Sequence, residues 1–407
     1  MVQVGHRARW RVRAAAAAAA LLVALTGVGA VASNGPVSDA SDGEGITLTV
    51  APDVSAALSE AEAAFLEQEA QERGITLEEV MAERDLNQRF GELATELEFR
   101  FRENYVQAEW RRDQAPQAVL VLRGPLPAEL TELVEASPID VEIVLSDGPS
   151  VDEATQALRS AMEALAERAG AGDASGSFDP LTGAMTIEYS GSKLSSEAET
   201  ALRADLPSDQ QVSYEHVGTE PIAEDHYVGG NPLATCTAGF VVRSGNTFGI
   251  STAGHCPLTT NFYYMGSLFT YGGILSKSYG DARWAWGMNG TPEPKFRETT
   301  TSVRTVTSYQ APKVNDGYCR YGKNSYTSCS HVYSLNNCVT TGYGTVCRVV
   351  YATNSYGQPG DSGGPTFSGG IALGIFKGIV YSGGTYRDMW STVSNLRAGA
   401  YVDVYET

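Results

Sequence analysis

Gly360-Asp361-Ser362-Gly363-Gly364-Pro365 sets a serine between glycines. Such flanks let a hydroxyl stand on a tight turn and let a carbonyl come close to backbone N–H groups. A serine becomes a nucleophile only beside a base, and histidine has the fitting pKa. Thr252-Ala253-Gly254-His255-Cys256 lies upstream in the same part of the chain. A Gly-x-Ser-x-Gly stretch says little alone. A histidine motif ahead of it says much more.

The chain of 407 residues has room for two or three domains. Its start is not part of a fold. Arg7, Arg9, Arg11 and Arg13 form a basic region, and an apolar run from residue 14 ends in Ala30-Val31-Ala32 before Ser33. This reads as a secretory signal peptide over 1–32, with a small-residue exit suited to cleavage. A membrane anchor is the alternative, but an alanine-rich run makes a weak span.

The net charge of −19 hides an asymmetry. Residues 34–226 hold 40 acidic and 12 basic side chains, whereas residues 227–407 hold 8 and 13. Either two surfaces are separately tuned for solubility, or an acidic and a mildly basic domain bind each other. The basic half has no Arg/Lys stripe, so nucleic acid is not an expected partner. No metal or cofactor motif is present.

All six cysteines fall in the second half, at 236, 256, 319, 329, 338 and 347. An even count in a secreted chain argues for disulfides, and spacing alone does not choose among 15 pairings. Zinc is disfavoured because no Cys-x2-Cys pair occurs.

Residues 34–52 are Gly-, Ser-, Asp- and Pro-rich and read as disordered. Residues 55–112 read as helical, with apolar positions from Leu58 to Tyr105 at three- and four-residue steps. Gly74 interrupts them, and Thr76 caps a new helix. Beyond this, strands are expected at 117–123, 139–145, 175–180, 184–190 and 211–217. Helices are expected at 127–136, 151–169 and 196–204, making a compact α/β region. From residue 227 the composition shifts to 27 glycines in 181 residues, with many Thr, Ser, Tyr and Val. Short strands between turns indicate an all-β barrel or sandwich, with one helix near 392–398.

The order of these parts resembles the secreted bacterial alpha-lytic protease and streptogrisin family, chymotrypsin-like serine proteases made as pre-pro-enzymes. The likeness is carried by Gly229-Gly230, by 252–256, by 319–322 and by 358–365, and over 55–220 only by pattern. It implies an all-β catalytic domain of two six-stranded barrels over 227–407. An α/β pro-region over 33–226 would precede it, assisting folding and inhibiting the enzyme until removed near Tyr227-Val228-Gly229-Gly230. It implies a secreted serine endopeptidase, monomeric after maturation and not stably membrane-bound, whose partners are protein or peptide substrates and its own pro-region. The pairings it suggests are Cys236–Cys256, Cys319–Cys329 and Cys338–Cys347.

Within that frame Ser362 is the nucleophile and His255 the base. Asp281, 26 residues after His255, is the carboxylate that orients the imidazole. Read from the residues alone, Asp281 is also a plausible turn aspartate after Gly280, and Asp316 is its rival. The N–H groups of Gly360 and Ser362 would form the oxyanion hole. Asp361 would pair with Arg320 to shape that loop.

The substrate pocket departs from the family. Lys377 stands where a serine is expected and Ile379 where a glycine is. The cysteines that brace the pocket are missing. The pocket residues are Tyr356, Phe376, Lys377, Gly378 and Ile379. They leave three readings open: a narrowed pocket for small apolar side chains, a preference for acidic side chains, or a Lys377 that faces solvent. A further reading brings Lys377 to Asp281, which would alter the triad. Two other functions compete with the peptidase: an inactive binding protein on the protease fold, and a serine esterase.

Overall fold

Each of the first two helices opens on a capping box. Ser59 and Glu62 bond reciprocally ahead of helix Glu60–Arg73, and Thr76 and Glu79 do so ahead of helix Leu77–Arg100. In this computed structural model the described residues are 9–12, 58–112, 114–115, 117–169, 173–204, 211–218, 223–224, 236–256, 261–264, 267–274, 277–287, 292–300, 302–341 and 344–407. The leader apart from Arg9–Val12, the 34–52 stretch and Tyr227-Val228-Gly229-Gly230 lie outside them.

The helical reading of 55–112 needs correction at its end. The second helix stops at Arg100, and Tyr105–Trp110 is a strand antiparallel to Ala118–Arg123. Tyr105 continues the four-residue step from Phe101 and so looks helical. Val106, Ala108 and Trp110 are buried while Gln107 and Glu109 are less so, which is the period of two of a strand. Ala118–Arg123 pairs parallel with Val141–Ser146, whose other edge takes Arg9–Val12, so this part of the leader, expected to lie outside any fold, is a strand of the sheet. Phe90, Leu97, Leu120, Leu130 and Val141 form the core of this lobe.

A second lobe follows. Helix Val151–Ala169 and helix Ser196–Ala204 accompany strands Ala174–Phe178, Met185–Ser190 and Val212–Gly218. Strand Ala174–Phe178 pairs with Tyr326–Thr341 from the C-terminal half, with Gly176 opposite Cys338. Leu158, Met162 and Ile187 accordingly share one core with Cys338 and Cys347.

The C-terminal half is built from two six-stranded β units, the chymotrypsin-like arrangement. The first is a sheet in the order Asn261–Tyr264, Ser267–Ile274, Ala282–Trp286, Thr247–Ala253, Val241–Ser244 and Asp403–Val404. The second runs Gly317–Gly322, Pro365–Ser368, Ile371–Ser382, Thr385–Thr392, Gly344–Ala352 and Tyr326–Thr341. It closes because the last strand also pairs with the first. Closure covers the first part of that last strand, Tyr326–His331, and leaves Cys338–Thr340 to take strand Ala174–Phe178. Phe240, Val242, Trp284, Phe367 and Ile375 pack between the two units. Helix Val393–Ala400 closes over them.

Candidate active site

Strands Thr247–Ala253 and Ala282–Trp286 pair antiparallel, with Ala253 opposite Ala282. His255 lies just past the end of the first strand and Asp281 just before the start of the second. Register alone therefore brings these residues, 26 apart in sequence, to one end of the sheet. His255 Nδ1 is 2.5 Å from Asp281 Oδ2, and both side chains are buried. Gly254 makes this approach possible, since a Cβ there would lie 2.4 Å from Asp281 Oδ1. The Asp281 amide donates to Ser391 Oγ at 2.7 Å. Asp316, the rival, lies elsewhere, paired with Lys313 at 3.0 Å and accepting from Asn87.

Ser362 comes from the second barrel, on the loop before strand Pro365–Ser368. Thr237 ties that loop to the histidine strand. Its N–H donates to Ser362 O at 2.7 Å and its hydroxyl to Gly360 O at 2.8 Å, while its carbonyl accepts from Thr252 Oγ1 at 2.9 Å. The neighbouring Cys236–Cys256 disulfide holds the same junction covalently. Gly363, at φ 94°, permits the contact, because a Cβ there would sit 2.0 Å from Thr252 Oγ1. The Ser362 hydroxyl donates to the carbonyl of Lys377 at 3.0 Å.

Asp361 points away from the serine into a cage of donors. It accepts from Gln358 N at 2.8 Å, Asn324 N at 2.9 Å, Ser325 Oγ at 2.5 Å and Arg320 Nη1 at 3.4 Å. Asp361 and Arg320 are fully buried. With Gly360 at φ 93°, this fixes the turn that carries the Gly360 and Ser362 amides. Arg320 also bonds Asp388, Nε to Oδ2 at 2.9 Å. The other Asp388 oxygen accepts from Tyr356 N at 3.0 Å and Gly357 N at 2.9 Å. The segment expected to form the pocket wall is thus tied at Tyr356 and Gly357 by a buried carboxylate. Sequence reasoning missed Asp388, Ser391 and Thr237, because none stands in a recognisable motif.

The pocket residues separate. Tyr356 is half-exposed, whereas Phe376 is buried, with the Arg320 guanidinium 4.5 Å from its ring centroid. Gly357 lies against that ring, with only 2.4 Å between a Cβ built there and Phe376 Cζ. Lys377 does not face solvent, at 1% exposure. Its ammonium is 3.3 Å from Asp281 Oδ2. Burial alone would raise the Asp281 carboxyl. The charge of His255, then that of Lys377, and hydrogen bonds to both outweigh it and hold the group well below the usual carboxylate range.

The cysteines pair as Cys236–Cys256, Cys319–Cys329 and Cys338–Cys347. No helix among the described residues is long and apolar enough to cross a membrane.

Serine protease 2 of Streptomyces fradiae is 31% identical over 152 residues, 35% of this chain and 86% of that protein. The chain belongs to the chymotrypsin-like bacterial serine proteases. Streptogrisin-C of Streptomyces griseus is 33% identical over 151 residues, 36% of this chain, and the match spans about a third (33%) of that relative. Among solved structures, Thermobifida fusca protease A is 25% identical and covers 46% of this chain and 99% of its own, at a TM-score of 0.38. A glutamic acid-specific serine protease is 27% identical over 42% of this chain and 93% of its own, at a TM-score of 0.37. No protein-family model matches the chain.

Proposed function

We propose that this member of the family is a secreted serine endopeptidase, made as a zymogen whose acidic N-terminal half docks on the catalytic half until it is removed. The observation that carries the chemistry is the buried His255–Asp281 contact at 2.5 Å, joined through Lys377 to the Ser362 hydroxyl. For attack, that hydroxyl leaves the Lys377 carbonyl, turns about χ1 and gives its proton to His255 Nε2. Ser362 Oγ then bonds to the scissile carbonyl carbon. The oxyanion that forms is stabilised by the Gly360 and Ser362 amides. His255 returns the proton to the leaving amine, and water, deprotonated by His255, hydrolyses the acyl-enzyme.

Two observations support the zymogen reading. Ala223–Glu224 pairs antiparallel with Ile379–Val380, directly beyond Lys377 on the strand that accepts the Ser362 hydroxyl. A segment there competes with an extended substrate for the same backbone. Glu62, on the first helix, is buried against the C-terminal half. It meets Arg304 Nη2 at 2.8 Å and accepts from Gly369 N at 2.8 Å. Part of the charge asymmetry is therefore spent in direct ion pairing between the halves.

Phe376, filling space behind Gly357, supports a pocket for small apolar side chains. Peptide-anilide hydrolysis by the secreted protein, abolished by His255→Ala, tests the peptidase reading. Turnover of simple esters with peptides left intact would establish esterase chemistry instead. No turnover of either, with correct folding, would establish a binding protein.

A further inference from the structure

Lys377 sits at a bulge. The pairing of strand Ile371–Ser382 with strand Thr385–Thr392 shifts register between Phe376 and Gly378. A bulge of this kind re-aims a side chain, and here the ammonium is directed at Asp281. Lys377 therefore touches both ends of the catalytic group. Its carbonyl accepts from Ser362 Oγ at 3.0 Å, and its Nζ lies 3.3 Å from Asp281 Oδ2, the oxygen that also meets His255 Nδ1. Lys377 and Asp281 are 1% and 2% exposed, so water and salt screen this contact little. An ammonium buried this deeply needs a compensating charge, and the carboxylate provides it.

The charges that act on the Asp281 carboxylate are those of His255 and Lys377. Strand Thr385–Thr392 contributes the neutral Ser391 hydroxyl, which accepts the Asp281 amide. Gly254 presents no side chain. The carboxylate thus divides its charge between an imidazole and an ammonium.

We propose that Lys377 is a positioning residue of the catalytic charge network, holding Asp281 in place while weakening His255 as a base, so that the enzyme stays active at lower pH than one with a neutral residue at this position. The inference rests on the reading of His255 as general base. The sign follows directly: a cation beside the carboxylate disfavours the imidazolium, so the neutral, proton-accepting imidazole persists to lower pH.

The test is the proton titration of His255 by NMR in the full chain carrying Ser362→Ala, with 13C-labelled histidine. The chain has five histidines, and the His255 signal is the one lost in His255→Gln. The titration of His255 in the Ser362→Ala chain is the reference for the variants. Lys377→Met and Lys377→Ser raise that titration by about one unit, and Lys377→Arg leaves it near the parent. In the active enzyme the acid limb of kcat/KM moves up by the same amount with Lys377→Ser. The proposal is overturned by a Lys377→Arg titration that rises as far as that of Lys377→Met, and three variants are read so that one that fails to fold leaves the others to decide. It is equally overturned by a Lys377→Met or Lys377→Ser titration that does not rise. Because the NMR readout needs no turnover, loss of the peptidase reading would show separately, as absent peptide hydrolysis with the His255 shift intact.

Discussion

Residues 60–218 and residues 236–407 are held by different means. The C-terminal half carries all three disulfides, a closed barrel and buried ion pairs around its loops. The N-terminal half contains no cysteine. Its two lobes are fastened instead to the C-terminal half, one by Glu62 and by Trp110 N donating to Val314 O, the other by strand Ala174–Phe178. One half is cross-linked within itself. The other is joined to it by ion pairs and strand pairing, contacts that would suit the release proposed above.

Several variants would break or sharpen that contrast. The largest effect is expected from Ser362→Ala, which should lower kcat/KM by about 10⁴-fold or more while both halves still dock, measured by peptide hydrolysis and gel filtration. Gly363→Ala should cost about 4 kcal/mol or more in denaturant unfolding, since its Cβ meets Thr252 and its φ is left-handed. Glu62→Gln removes the carboxylate charge that the buried Arg304 and Arg84 both meet. It should weaken retention of the cleaved N-terminal half by about 3 kcal/mol, roughly 100-fold, with little change in peptide hydrolysis by the released enzyme. Replacing both Cys338 and Cys347 by serine should cost about 2 kcal/mol. It should also loosen the second N-terminal lobe, whose core includes both sulfurs.

The smallest effect is that of pH. Burial works to raise the Glu62 carboxyl, but Arg84 and Arg304 and the backbone donors Gly369 and Ser59 hold it low. Glu69 is likewise low, against its burial, through His331, Arg112 and Arg73. Groups held low stabilise the docked state above their unfolded pKa, and that stability is lost as pH falls through the folded value. Glu298, raised by its burial, works in the opposite sense. After cleavage, affinity between the halves should therefore fall about tenfold between pH 5 and pH 3. An affinity that rises over that range would contradict the ionic account of docking.

Much of this was legible from residues. Period and caps placed helix Val151–Ala169 and helix Ser196–Ala204 to the residue, because both are amphipathic and sharply bounded. The strand Tyr105–Trp110 was hidden because a four-residue step led into it from the helix. The likeness around His255 and Ser362 singled out two loops that the fold joins through Thr237 and Thr252, where Gly254 and Gly363 allow the close approach. Lys377 was legible only as a departure from pattern. Whether its side chain faced solvent, pocket or acid depended on a bulge that arises from strand pairing, and pairing is not written in local sequence. Asp388 and Ser391 act through distant backbone amides and leave no local trace at all.

The central claim is that Ser362 is an activated nucleophile and that its activity frees it from the acidic half. Intact-mass measurement of the secreted chain and its Ser362→Ala variant, after treatment with a fluorophosphonate, tests it most directly. The wild-type protein should appear as two pieces divided between Glu224 and Cys236, near Tyr227, with one adduct at Ser362 on the C-terminal piece. The variant should remain uncut at that site and unlabelled. An uncut, unlabelled wild-type chain, or an adduct that survives Ser362→Ala, would contradict the account.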